Sequence, residues 1–287
     1  MGLSCTRYTV NFMMRIVHLN LLLCLALVSS GCQPSDSPER TADNNTEMLT
    51  IFAASSLVDV FNELGTRFEA ENPGALLVFN FASSAQLAQQ LAQGAPADIF
   101  ASADERHMNN AIETGRVEPG SARALVSNRL VVVFPSGNPG GIQTLQDLSR
   151  PGLKLVLATP ETPVGQYTLE FLDKASQDPA FGEVYKEDVL KNVVSYEENV
   201  RAVLSKVALG EADAGVVYLT DLSSVKSGST GSLPIPDPLN VMAVYWIAAT
   251  NDSAQPLLAQ DFLDFVLSPD NQDIFLNHGF QQAPPNE

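Results

Sequence analysis

Basic residues are scarce in this sequence. It contains 16 Lys and Arg against 33 Asp and Glu in 287 residues, so its formal net charge is -17. A field of this sign repels nucleic acids and anionic lipid surfaces, and no cluster of Lys or Arg provides a local exception. We therefore expect no nucleic-acid partner and no attachment to membranes through surface charge.

The apolar run near the N-terminus is too short to span a membrane. Residues 19–28, LNLLLCLALV, form about ten apolar positions, which is typical of a signal peptide. The run ends in SSGC, where small residues precede Cys32 as in a bacterial lipoprotein signal, although an ordinary signal peptide cleaved nearby is the alternative. The lipoprotein signal predicts removal of residues 1–31 and a lipid anchor on Cys32, and either kind of signal predicts export to the periplasm or cell surface.

Cysteine is missing from the part of the chain that we expect to fold. Cys5 and Cys24 precede the predicted cleavage site, so Cys32 alone would remain. A disulfide, a cysteine-based metal site and a thiol nucleophile are thereby excluded. Residues 32–47 are polar and contain no large apolar side chain, which predicts a flexible tether.

Catalytic motifs are missing as well. The chain has three histidines; His18 lies in the signal peptide, and His107 and His278 fall in helical surface patterns without partners. No G-x-S-x-G elbow, H-E-x-x-H motif or Gly-rich phosphate loop is present. A nucleophile at Ser56 would need a base that the sequence does not suggest. We expect a protein that is not an enzyme and has no cofactor, with a hydrolase using Ser56 as the weaker alternative.

Short apolar runs alternate with helical patterns from Leu49 onward, which predicts an α/β fold with parallel strands covered by helices. The pattern restarts after RLVVVFP, and 287 residues exceed one comfortable core. We predict two lobes. Lobe 2 comprises residues 129–242, and lobe 1 comprises residues 48–128 together with residues 243–287, whose return to lobe 1 is implied mainly by the family resemblance described below.

Two serine pairs lie where predicted strands run into helices. Ser55 and Ser56 follow LTIFAA, and Ser83 and Ser84 follow ALLVFNFA, in a stretch without Lys or Arg from residue 68 to 105. Helix N-termini offer unpaired N–H groups and partial positive charge. Neutral donors of this kind suit a small, fully ionised oxyanion.

Helix capping is the competing interpretation of these serines. Ser56 is followed three residues later by Asp59, which resembles a capping box. The residues alone leave both interpretations open.

Three segments together resemble a known family. FAASSL, FASSAQLAQQLAQGAPADIFASAD and VRAVLSKVALGEADAGVVY are similar to the periplasmic molybdate-binding proteins of ABC importers, and the resemblance extends from about residue 49 to 280. These are type II periplasmic binding proteins. The resemblance implies a monomer with two lobes, each a mainly parallel sheet flanked by helices. It also implies capture of molybdate, and tungstate too, for delivery to a membrane permease.

The same resemblance implies a set of binding residues. Members of the family hold a tetrahedral dianion through neutral donors, with no direct ligand to the metal atom. Carried onto this sequence, the set is Ser56, Ser84, Val164, Val200 and Tyr218, with Ser55 and Ser83 as further candidates. The two valines would donate backbone amides.

Three features qualify this carried-over set. Val164 replaces the alanine that is commoner in the family, and Asn199 replaces an aspartate. Arg201, next to Val200, is expected to form a salt bridge instead of clamping the anion. A site made only of donors rejects hydrogen phosphate, which needs an acceptor. Sulfate remains an alternative ligand, and the order of preference between molybdate and tungstate stays open.

Overall fold

The structure is a computed structural model, and it describes residues 46–284. The predicted signal peptide, Cys32 and the tether up to residue 45 lie outside the described residues. Their predictions therefore stay predictions.

Nine strands form one continuous mixed sheet in residues 46–284. Their order is β2-β1-β3-β9-β4-β7-β5-β6, and β8 pairs with β4 beside that path. The strands are β1 (Glu47–Ala54), β2 (Ala75–Ala82), β3 (Ile99–Ser102), β4 (Arg123–Pro135), β5 (Leu155–Ala158), β6 (Val193–Glu197), β7 (Ala214–Tyr218), β8 (Thr230–Pro234) and β9 (Met242–Ala249).

Helices connect the strands and cover the sheet. In the described part of the chain, none is both long enough and apolar enough to cross a membrane. They are α1 (Val58–Glu71), α2 (Ser84–Ala92), α3 (Glu105–Glu113), α4 (Pro163–Gln177), α5 (Tyr185–Lys191), α6 (Val200–Ala208), α7 (Pro256–Leu267) and α8 (Pro269–Asn277). The alternation of strands and helices confirms the predicted α/β class.

The long strand β4 joins two halves of the sheet. Its first part pairs antiparallel with β9, which continues into the parallel strands β3, β1 and β2. Its second part pairs antiparallel with β7 and β8, and β7 continues into the parallel strands β5 and β6. We call these the first and second half-sheets. Because β4 belongs to both, a bend in this strand would move one half relative to the other.

Helix α1 shows how the hydrophobic pattern fixes the packing. Val60, Phe61, Leu64 and Phe68 recur at helical spacing, and each is at most 1% exposed. Phe61 packs edge-on against aromatic rings of α7 and α8. Burying each large side chain contributes about 1.5–3 kcal/mol. The packing holds α1, and with it the start of the helix near Ser56, against the terminal helices.

Candidate functional site

A small cavity lies between the two half-sheets, where strands β1, β2, β3, β5, β6 and β7 end. Its empty volume is about 220 Å³, including its opening. A cavity this small leaves no room for a drug-sized ligand and is of a size for a small ion at most. It is lined by Ala54, Ser55, Ser56, Ser83, Ser84, Ala103, Thr162, Pro163, Val164, Asn199, Val200 and Tyr218. All seven residues predicted from the sequence therefore meet in one place.

Ser56 does not cap a helix. Its Oγ lies 2.8 Å from the hydroxyl of Tyr245 on β9, and no side chain caps the start of α1. Asp59 is drawn away by Arg201, whose Nη2 lies 2.7 Å from Asp59 Oδ2. The capping interpretation of Ser56 is therefore not supported, and the carboxylate of Asp59 pairs with Arg201 of α6 instead.

The two serines of the second pair, Ser83 and Ser84, make different hydrogen bonds. Ser83 caps α2, since its Oγ accepts from Gln86 N–H at 3.3 Å and donates to Gln86 Oε1 at 3.1 Å. Ser84 Oγ instead accepts from the N–H of Ala103 at 2.9 Å. The Ser83 hydroxyl thus both donates and accepts within its own helix. The Ser84 hydroxyl accepts one hydrogen bond, and its proton remains available to another acceptor.

The first turn of α4 leaves one amide without a partner. Pro163, at the first helical position, has no N–H, and the Gly165 N–H donates to Thr162 Oγ1 at 3.1 Å. The Gln166 N–H donates to Thr162 O. For the N–H of Val164, between them, no acceptor is found among residues 46–284. The proline and the threonine cap therefore leave free the Val164 amide, which is the one that the family resemblance implied.

Helix α6 begins in a similar way. The side chain of Asn199 accepts from the N–H of Ala202 at 3.0 Å, and Val203 N–H donates to the Asn199 carbonyl. Val200 N–H lies in the first turn, where helix amides have no intrahelical acceptor. Asn199 takes the capping role that an aspartate would have, and it does so without adding a negative charge to the cavity.

Tyr218 ends strand β7, and its side chain is 1% exposed. Tyr218 is one of the residues that line the cavity, and its buried hydroxyl has no hydrogen-bond partner within the part of the chain that the structure describes. Burial raises the pKa of this hydroxyl well above its usual value, so it keeps its proton. A buried donor without an acceptor is costly, about 1–3 kcal/mol, and it marks a place where a bound group is expected to accept.

Charged side chains are kept away from the cavity. Within residues 46–284, no Lys, Arg, Asp or Glu side chain lines it. Arg201, the nearest cation in sequence to Val200, pairs with Asp59 and lies 3.0 Å from the buried carboxylate of Asp221 through Nε. The expectation that Arg201 forms salt bridges is confirmed. The positive potential in the cavity therefore comes from helix N-termini and from hydroxyl and amide hydrogens.

Both described histidines have carboxylate partners, which corrects the prediction that they have none. His107 Nδ1 lies 2.8 Å from Asp104 Oδ1, because Asp104 is the N-cap residue of the same helix. His278 Nε2 lies 2.8 Å from Glu63 Oε2 on α1. Neither histidine lines the cavity that holds Ser56.

Sequence reasoning did not single out Thr162, Ala103 or Tyr245. The S/T-P-x-G pattern at Thr162 is a helix-start signal that could have indicated the cap. Ala103 contributes only its backbone N–H, and Tyr245 lies 189 residues from Ser56, so no local pattern reveals either one.

The fold and the cavity define a periplasmic binding protein of type II, and the similarity of this chain to known proteins agrees with that class. A family model described as bacterial extracellular solute-binding protein matches residues 49–281. The chain belongs to this family, which implies a location outside the cytoplasm.

Individual proteins that are similar to this chain belong to the same class. The molybdate-binding protein ModA of Mycobacterium tuberculosis is 35% identical over 262 residues, covering 91% of this chain and 95% of that protein. The periplasmic molybdate-binding protein of Azotobacter vinelandii superposes with a TM-score of 0.69 at 22% identity, covering 82% of this chain and 100% of that one. The sulfate-binding protein SubI of M. tuberculosis superposes with a TM-score of 0.73 at 17% identity, covering 83% and 88%.

Proposed function

We propose that this protein captures molybdate, and tungstate with it, in the cavity between the half-sheets. The observation that carries the proposal is the buried Tyr218 hydroxyl, which lacks an acceptor in a cavity lined by serines and helix starts. The kinship with a molybdate-binding protein supports the choice of ion. The proposed ligands are the hydroxyls of Ser56, Ser84 and Tyr218 and the amides of Val164 and Val200, with Ser55 beside them.

The donor set suits a dianion that carries no proton. Charge-assisted hydrogen bonds to an ionised acceptor contribute about 1.5–3 kcal/mol each. The polar side chains that could accept are already occupied, because Asn199 Oδ1 caps α6 and the Thr162 hydroxyl donates to Thr159 O. Hydrogen phosphate would leave its own proton without an acceptor, so we expect it to bind far more weakly.

Closure of two lobes completes the proposed site. We propose lobe 1 as residues 48–128 and 243–287 and lobe 2 as residues 129–242, moving about β4. Ser56 and Ser84 would come from lobe 1 and the other three ligands from lobe 2. The closed form would be recognised by an ABC permease, and binding would shift the population toward it.

We further propose that the protein acts as a monomer, held to the membrane only by a lipid on Cys32. Catalysis is not part of the proposal. The Oγ of Ser56 is hydrogen-bonded to the hydroxyl of Tyr245, and burial raises the pKa of this hydroxyl far above its usual value. A hydroxyl that keeps its proton so firmly does not activate a serine as a base.

A thermal-shift titration with sodium molybdate, tungstate, sulfate and phosphate tests the function. At 100 times its dissociation constant, a ligand stabilises the folded protein by about 2.7 kcal/mol. We expect such a shift with molybdate and tungstate, a smaller one with sulfate and none with phosphate. Equal or larger shifts with sulfate would overturn the molybdate assignment, and no shift with any ion would overturn the oxyanion site.

Replacement of Ser84 by alanine tests its role as a ligand. We expect Ser84→Ala to weaken molybdate binding by roughly 10- to 100-fold, because one charge-assisted hydrogen bond is lost. Isothermal titration calorimetry measures the change below the unfolding temperature. Ser83→Ala is the matched control. It should lower the unfolding free energy by about 1 kcal/mol through loss of the cap and leave the affinity nearly unchanged. Equal affinities in both variants would return Ser84 to a structural role.

A further inference from the structure

The hydroxyl of Ser56 is held from behind by a second hydroxyl. Tyr245 lies on β9, is fully buried and is not among the residues that line the cavity. Its OH is 2.8 Å from Ser56 Oγ, and either oxygen of such a pair can be the donor. Which one donates decides whether Ser56 presents a proton or a lone pair to the cavity.

The position of Asn128 on β4 favours one direction. Its Oδ1 accepts from the N–H of Arg129 at 2.9 Å, which fixes the orientation of the side-chain amide. Its Nδ2 therefore faces two hydroxyls, Thr220 Oγ1 at 2.8 Å and Tyr245 OH at 3.5 Å. An amide nitrogen can only donate.

The consequence passes along the chain of hydroxyls. The Tyr245 oxygen accepts from Asn128, so its proton is free for Ser56 Oγ. Ser56 Oγ then accepts from Tyr245, and its own proton is turned away from that contact. Because Ser56 lines the cavity, its proton can point into it.

We propose that Tyr245, oriented by Asn128, is a positioning residue that fixes Ser56 as a donor and so makes the cavity reject oxyanions that carry a proton. The inference rests on the proposed function and names what enforces its selectivity. Ser84 differs in this respect, because its oxygen accepts from a backbone N–H that no side-chain change removes. The polarity of Ser56 alone depends on a replaceable side chain.

The variant Tyr245→Phe tests the inference by removing the hydroxyl. Ser56 can then rotate and accept a proton from the ligand. The readout is the ratio of the dissociation constants for hydrogen phosphate and molybdate at mildly alkaline pH, where both are dianions. We expect molybdate binding to weaken about 5- to 10-fold and the ratio to fall at least about tenfold. A mere packing defect would weaken both ions alike.

Tyr185→Phe is the matched control. This tyrosine is also buried, and its hydroxyl donates to the carbonyl of Leu145, away from the cavity. It should leave the ratio unchanged. If Tyr245→Phe does not fold, Asn128→Asp replaces it. The new carboxylate at position 128 would accept the proton of Tyr245, so the Tyr245 oxygen would accept from Ser56 and the Ser56 proton would point away from the cavity. The added negative charge should weaken the binding of both dianions equally, so its effect cancels in the ratio of their dissociation constants.

The outcomes separate the two proposals. A wild-type protein that binds no oxyanion overturns the proposed function whatever the variants do. A wild-type protein that prefers molybdate, together with a variant that keeps the same ratio within about twofold, overturns the role of Tyr245 and leaves the function standing. A fall in the ratio confined to the Tyr245 or Asn128 variant supports the role.

Discussion

Gly165→Ala is expected to lower the unfolding free energy by about 4 kcal/mol or more and to abolish oxyanion binding. Gly165 is the third residue of α4, and a Cβ there would lie 1.9 Å from the carbonyl oxygen of Thr159. That oxygen accepts from Thr162 N–H at 3.0 Å and from the Thr162 hydroxyl at 2.8 Å. Moving the Thr159 carbonyl away from the new Cβ would therefore break two hydrogen bonds. The helix start must move instead, and the Val164 amide moves with it.

Chemical denaturation and titration with molybdate measure the two effects. Gly94→Ala is the control for the substitution itself. Gly94 lies just after α2, with a φ of 88° and open space around it, so only backbone strain of about 1–2 kcal/mol is expected, with unchanged affinity. Val164→Ala is the control for position, because it keeps the amide and should cost about 2 kcal/mol through lost packing. A Gly165→Ala protein with wild-type stability and affinity would contradict the steric argument.

Most of the architecture follows from hydrophobic periodicity. The apolar runs LTIFA, KLVLA and AGVVY form strands β1, β5 and β7, as the alternation of short apolar runs with helical patterns predicts. Strand β8 and helix α5 were not predicted. The sequence of β8, TGSLP, has weak strand propensity and is extended because it pairs with the buried strand β4. Helix α5 has only seven residues, too few for a periodic pattern.

The cavity was predictable in its members but not in its hydrogen bonds. The two serine pairs follow strand ends, which is a local pattern, whereas Val164, Val200 and Tyr218 were implied by the family resemblance alone. All seven residues meet because they lie at or after the ends of strands on the same side of the sheet. The assignment of caps depended on distant residues. Ser56 contacts Tyr245 across 189 positions of sequence, and Asp59 contacts Arg201 across 142. Only tertiary structure decides which serine caps a helix and which one faces the cavity.

Arg201→Gln is expected to lower the unfolding free energy by about 3 kcal/mol at about pH 8. Its guanidinium lies 3.0 Å from the carboxylate of Asp221, a side chain with 0% exposure, and that carboxylate also accepts from the N–H of Tyr218. Burial raises the pKa of Asp221 to about 6, and Arg201 opposes the rise. Removing the guanidinium leaves a buried charge without compensation next to the backbone N–H of the proposed ligand Tyr218.

The pH dependence identifies the cause of this loss. Because the folded-state pKa of Asp221 is raised, ionising this group lowers the stability of the fold as pH increases. Without Arg201 the pKa rises further, so the cost continues to grow above pH 6, whereas near pH 5 the carboxyl is protonated and the cost shrinks. Urea unfolding at both pH values should show the larger loss at pH 8.

Asp59→Asn, which removes the more exposed partner of Arg201, is the control and should lower the unfolding free energy by at most about 1 kcal/mol at either pH. A loss in Arg201→Gln that is equal at the two pH values would mean that Arg201 acts through packing and not through the charge of Asp221.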